Sequence, residues 1–267
     1  MEFIVLLLGF GCTVGAVASS RTAGSERGRR RLILALPYIS CSARLPVLAV
    51  FSSAFFGKYA WFAVIALYLL GICVSLAVLR LSSGIRGGDA LLIEMPDYRT
   101  PIVRNVFRTA LRRSGAYVGK AGSVILAASA LLWFILNFGP GGYTTEMEAS
   151  FGAVLGKVIV PFFQPLGLGY WQIAMALIAG ISAKEVVVTS CAVLFGISNI
   201  NSLAGMELLQ GQLAAMGFGG LNAYCLMIFC LLYIPCAATL VTIKKEMGGW
   251  KWALKAALFQ LGTAWVV

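Results

Sequence analysis

The chain has 267 residues, is 60% hydrophobic and only 12% charged, and has a mean hydropathy of +0.90. Soluble domains carry about twice that charged fraction, so a water-soluble globule is excluded and an all-α polytopic membrane protein is expected. The net charge of +11 does not signal nucleic acid, because the basic residues fall in short loops between apolar spans and no binding module accompanies them.

The N-terminus does not read as a secretory signal: Glu2 replaces the basic n-region and no A-x-A-like site follows. The first apolar stretch, Leu8–Val17, is interrupted by Gly9-Phe10-Gly11-Cys12. Arg21, Arg27, Arg29, Arg30 and Arg31 then mark 20–31 as a cytoplasmic loop. From it 32–56 runs outward, broken at Ser40-Cys41-Ser42-Ala43-Arg44-Leu45-Pro46. A turn at Phe56-Gly57-Lys58-Tyr59 leads into Trp61–Leu79, which returns inward.

The stretch 80–120 carries Arg80, Arg86, Arg99, Arg104, Arg108, Arg112, Arg113 and Lys120, and is expected to be cytoplasmic. Pro96 and Pro101 punctuate it, and Pro101–Gly119 reads as an amphipathic surface helix. Ala121–Asn137 is the next span, ending in a loop at Gly139-Pro140-Gly141-Gly142. The 197–220 stretch has no Lys or Arg and is expected to be an external loop, whereas Lys244, Lys245, Lys251 and Lys255 place the end of span Ala223–Ile243 inside. That count requires a further membrane entry within 150–168, where Pro161 and Pro165 favour a short or re-entrant segment.

Leu36-Pro37-Tyr38-Ile39-Ser40-Cys41-Ser42-Ala43-Arg44-Leu45 resembles Leu232-Tyr233-Ile234-Pro235-Cys236-Ala237-Ala238-Thr239-Leu240. Each copy follows another interrupted apolar span, Leu8–Val17 and Ala179–Val188. The first copy runs outward and the second inward, the pattern of inverted repeats with discontinuous helices. The chain therefore divides into a first repeat over 1–80, a basic cytoplasmic linker with its amphipathic segment over 81–120, and a second repeat with a C-terminal helix over 121–267. Chance similarity between apolar stretches is the alternative.

Broken helix at membrane depth tends to line a cavity or substrate path. Cys12, Cys41 and Cys236 sit at such breaks beside Gly, Pro or Ser, where a thiol is a candidate ligand for Fe(II), Cu(I) or Zn(II). Packing cysteines are the competing reading; Cys73, Cys225 and Cys230, in plain apolar spans, are read that way. Histidine is absent, so other ligands must be carboxylate, hydroxyl or main-chain oxygen. Ser40, Ser42, Ser182, Thr239 and the main chain at Gly9 and Gly11 can complete a site loose enough to release its ion. Lys184-Glu185 lies inside the span Trp171–Phe195, where a central charge costs at least about 2.5–3.5 kcal/mol. Glu185 is a candidate cation ligand, and Lys184 either pairs elsewhere or occupies the site when it is empty. A structural ion pair is the alternative for both. Arg44 is expected to pin backbone carbonyls or a carboxylate. No enzyme is expected: Gly115–Gly119-Lys120-Ala121 lacks the P-loop spacing and its Ser/Thr, and histidine-dependent catalysis is impossible.

At Gly9-Phe10-Gly11-Cys12-Thr13-Val14, Ser40-Cys41-Ser42-Ala43-Arg44-Leu45-Pro46, Ala183-Lys184-Glu185-Val186-Val187-Val188 and Tyr233-Ile234-Pro235-Cys236-Ala237-Ala238-Thr239-Leu240, the chain resembles the membrane portion of the FeoB ferrous-iron transporter family. Arg21-Thr22 and Pro96-Asp97-Tyr98-Arg99-Thr100-Pro101 fit the same pattern. The resemblance implies two Gate-type repeats, Fe²⁺ imported as substrate across a bacterial inner membrane by a multi-pass protein, and no permanently bound cofactor. It places Cys12, Cys41 and Cys236 on the ion path and Glu185 at the acidic position of the second Gate motif. Its implied partners are Fe²⁺, the lipid bilayer, a GTPase on a separate chain or an N-terminal half, and a second copy of the chain. Gly15 stands where Pro is usual and Ser42 where Gly is usual. A Gate-type carrier of an organic solute such as a nucleoside is the alternative, followed by an inactive fragment.

Overall fold

Apolar stretches become helices here, and Gly, Pro and Ser decide where they stop. The computed structural model describes residues 2–23, 25–82, 102–143, 150–197, 199–200 and 202–267. The Pro96–Pro101 motif, Arg86 and Arg99 lie outside the described residues. In the first half, α1 (Glu2–Gly9) and α2 (Thr13–Ser19) flank one break, and α3 (Glu26–Ala35) and α4 (Leu45–Phe56) flank a second. The second break holds two short 3₁₀ turns, Leu36–Tyr38 and Ser42–Arg44. Gly57, at φ +48°, reverses the chain into α5 (Ala60–Leu81).

α5 shows how a membrane helix is sorted by face. Trp61, Phe62, Ile65, Leu69 and Leu76 are exposed along one stripe, suited to lipid. Ala63, Leu67, Gly71, Ser75 and Val78 are buried along another. Small residues on that stripe let backbones approach closely. Ser75 Oγ donates to Ala35 O at 3.1 Å, and a Cβ at Gly71 would lie 2.7 Å from Tyr38 O. The buried stripe thus supports the second break directly. Gly71→Ala is expected to lower stability in detergent by about 1–3 kcal/mol through overpacking. Gly122→Ala, where a Cβ meets nothing within 4 Å, is the control and is expected to be neutral or slightly stabilising. Equal unfolding midpoints for the two variants would refute this account.

α6 (Val103–Asn137) is one helix of 35 residues, so the expected surface helix and the span after it are continuous through residue 120. No proline separates them, and the glycines between cost only about 1 kcal/mol each. A hairpin of β1 (Phe138–Gly139) and β2 (Gly142–Tyr143) turns the chain at its end. α7 (Phe151–Phe163) begins at Ser150, whose Oγ accepts from Ala153 N at 3.2 Å. The segments Phe151–Leu166 and α8 (Trp171–Ala179) meet at a bend of 100°, as a broken span or re-entrant loop. That agrees with the short or re-entrant entry expected over 150–168.

α9 (Val186–Leu194), α10 (Leu203–Ala215), α11 (Gly220–Leu232), α12 (Ala237–Met247) and α13 (Trp250–Val266) complete the chain. α10 corrects the expected 197–220 loop. Ser202 Oγ accepts from Gly205 N at 3.1 Å to start it, and Leu209 and Leu213 bury its inner face. Among the described residues, Glu26–Leu81 and Gly220–Met247 are long and apolar enough to cross a membrane. The fold is that of an all-α membrane protein with interrupted helices.

Candidate functional site

Four breaks define the site, and in each half of the chain two of them are tied by main-chain hydrogen bonds. In the first half, α1 closes with Cys12 N on Leu8 O at 3.2 Å, and Cys12 turns extended (φ −146°, ψ 122°) before α2. Ser42, just after Cys41, bonds this break with both its N–H (3.2 Å) and its Oγ (2.8 Å) on Gly11 O. In the second half, Ala237, just after Cys236, donates its N–H to Ile181 O at 2.7 Å. The residue following the repeat's cysteine therefore makes the same kind of bond in both halves, which matches the alignment of Cys41 with Cys236. Gly9 adds close packing, since a Cβ there would touch Ile39.

Two buried basic side chains hold the unwound carbonyls. Arg44, 2% exposed, donates Nη1 to Pro37 O at 2.8 Å and Ile39 O at 3.1 Å, as expected from the sequence. Lys184, 4% exposed, reaches across from the third break to the fourth: Nζ donates to Ile234 O at 2.6 Å and stands 3.3 Å from the centroid of the Tyr233 ring. Tyr233 is itself fixed by its OH on Leu177 O at 3.2 Å. Cys41, Cys230, Cys236 and Arg44 lie close enough to act electrostatically on Lys184.

The sequence-predicted residues separate into groups. Cys236 Sγ lies 3.1 Å from Thr239 Oγ1, with Thr239 buried. Ser182 Oγ turns back onto Ala179 O at 2.7 Å. Ser40 Oγ is buried with no hydrogen-bond partner among the described residues. Cys12 is exposed, and so is Glu185, at the residue before α9. Among the described residues no three Cys, Asp or Glu side chains converge on one point that could hold a metal ion.

Three participants carry little sequence signal. The Tyr233 ring and the Ile234 carbonyl lie within the repeat motif but were not singled out there. A bidentate pair joins Arg21, after α2, to Glu246, near the end of α12: Nε to Oε2 and Nη2 to Oε1, both 2.7 Å. That hydrogen bond, and then the charge of Glu246, raises the Arg21 pKa above its already high ordinary value. Two surface clefts, one lined by Lys157, Tyr170 and Trp171 and one by Phe56, Tyr59 and Tyr224, involve none of the break residues.

Comparison with known proteins places these breaks in context. A family model described as ferrous iron transport protein B C terminus matches residues 64–113. The Gate model, described as nucleoside recognition, matches residues 118–250. The chain is 36% identical over 270 residues to an Fe(2+) transporter FeoB of Staphylococcus aureus (strain MSSA476), covering all of this chain and 39% of that protein. It is 37% identical over 275 residues to an Fe(2+) transporter FeoB of Methanocaldococcus jannaschii, covering 99% of this chain and 40% of the other. For the Campylobacter jejuni Fe(2+) transporter FeoB the identity is 34% over 280 residues, with 100% and 45% covered. The chain thus spans less than half the length of these relatives. No solved structure matches it.

Proposed function

We propose, for a chain that belongs to the FeoB ferrous-iron transporter family and corresponds to its C-terminal membrane portion, that the four helix breaks form the permeation path for Fe²⁺. The observation that carries this reading is the pair of hydrogen bonds that Ser42 donates to Gly11 O. It holds two thiol-bearing breaks against each other. Fe²⁺ is a borderline ion that accepts sulfur together with oxygen, and weak, mixed ligation allows release. Cys12 and Cys41 would act at the stitched pair of breaks and Cys236 with Thr239 at the fourth, while exposed Glu185 would collect or relay the cation. Gly9, Gly11, Ser40, Ser42 and Ser182 would line the path with hydroxyl and main-chain oxygen.

In this reading the protein is multi-pass in a bacterial inner membrane, performs no catalysis itself, and holds Fe²⁺ as cargo rather than as a resident cofactor. Guanine-nucleotide control would come from another portion of the transporter or a separate chain. Anaerobic Fe²⁺ titration of the purified chain in detergent tests it. Saturable binding is expected, and loss of that binding in Cys12→Ser/Cys41→Ser. Equal affinity in both proteins would remove those thiols as ligands and move the site to Glu185 and Cys236. No binding by either would overturn the metal reading in favour of an organic-solute carrier.

A further inference from the structure

Arg44 and Lys184 do similar work at the second and fourth breaks, but not with equal permanence. Arg44 Nη1 bonds two carbonyls and the guanidinium is always charged, so it belongs to the scaffold. Lys184 offers three donors, yet among the described residues it has one hydrogen bond, to Ile234 O at 2.6 Å, and one ring, that of Tyr233. An ammonium so sparsely held on a flexible stem is exchangeable. The two groups it meets are also ones that hold small cations. Carbonyls of unwound helix are the groups with which membrane carriers bind their ions, and an aromatic face attracts positive charge. The fourth break also carries the thiol of Cys236, 3.1 Å from Thr239 Oγ1.

We infer that the Ile234 carbonyl and the Tyr233 face form a small-cation site that the Lys184 ammonium fills in this structure, and that a transported ion must displace it. The second clause rests on the metal-permeation reading; the first stands without it. Lys184 is then a tethered competitor for the path. It keeps the site filled when no ion is present and sets a threshold that only a more strongly bound cation passes.

The test compares the wild-type chain with Lys184→Ala and Lys184→Arg in detergent. Thermal unfolding is followed in methylammonium chloride and in tetramethylammonium chloride, which lacks an N–H donor. Methylammonium is expected to raise the midpoint of Lys184→Ala and not that of the wild type, with tetramethylammonium raising neither. Anaerobic Fe²⁺ titration is expected to show about tenfold tighter binding by Lys184→Ala than by the wild type. A Lys184→Ala protein indifferent to methylammonium would overturn the cation site. So would one that fails to fold with or without methylammonium while Lys184→Arg folds normally, since Lys184 would then be a strut. Fe²⁺ affinity unchanged or weaker in Lys184→Ala would overturn the displacement. Stabilisation by methylammonium with no Fe²⁺ binding in any variant would sink the metal-permeation reading alone and leave the cation site standing.

Discussion

Arg44→Met is expected to destabilise the chain by about 2–5 kcal/mol, with unfolding in detergent as the measurement. The residue is 2% exposed, and its loss strands the carbonyls of Pro37 and Ile39, which it bonds at 2.8 and 3.1 Å. Each unsatisfied buried acceptor costs about 1–3 kcal/mol. Against this stands the relief of desolvating a guanidinium, and replacing both partners of a buried polar contact by apolar groups is often neutral. Here only one partner can be replaced, because the other is main chain. The penalty therefore survives. Arg44→Lys should recover part of it, since both bonds come from the one nitrogen Nη1 and an ammonium can donate to both only where its shorter stem reaches the same point. Maleimide labelling of Cys41, three residues away, should accelerate in Arg44→Met as the break loosens. A variant as stable as the wild type, with unchanged labelling, would show that the second break holds itself.

The other large effect is expected at the Arg21–Glu246 pair. Glu246 is 5% exposed, whereas the Arg21 side chain is 58% exposed. Arg21→Ala leaves a buried carboxylate alone in the last turn of α12, where the helix dipole also opposes negative charge. Fully buried pairs lose about 3–5 kcal/mol when one partner goes. Solvent on the arginine side reduces that, and about 2 kcal/mol is expected. Glu246→Gln should cost less, because no charge is stranded. The double variant should then be more stable than the sum of the single losses predicts, with a coupling of about 1–2 kcal/mol. Strict additivity would mean that the two side chains are neighbours without being energetically joined.

Much of this arrangement is legible in the sequence, and the remainder has a physical reason to be hidden. The breaks at 9–12 and 39–46 announce themselves because Gly, Pro and Ser inside apolar stretches have few other uses. Arg44 is readable for a similar reason: a charge at such a place must satisfy something. Lys184 and Glu185 show only that charge is present, since adjacent helical positions point about 100° apart. The structure buries one and exposes the other. The partner of Lys184 is a carbonyl, a group every residue owns, and so leaves no mark in composition. Arg21 and Glu246 lie at opposite ends of the chain, with Glu246 among lysines that read as a uniform basic patch. α10 escapes because an absence of Lys and Arg speaks to orientation and not to whether the backbone is coiled or helical. The continuity of α6 escapes because charge changes along it while helix propensity does not.

That continuous helix has a mechanical consequence. At 35 residues it is about 52 Å long, against a hydrocarbon core of about 30 Å. Its N-terminal end carries the exposed Arg104, Arg108 and Arg112, so the helix is longer than a bilayer core is thick and basic at one end. The same rod packs on α7 and α12. A stiff rod packed against two other helices is a lever: torque applied to its basic end reaches them undiminished by any loop. The load it would turn is α12, which carries Thr239 at one end and the Glu246 clasp at the other.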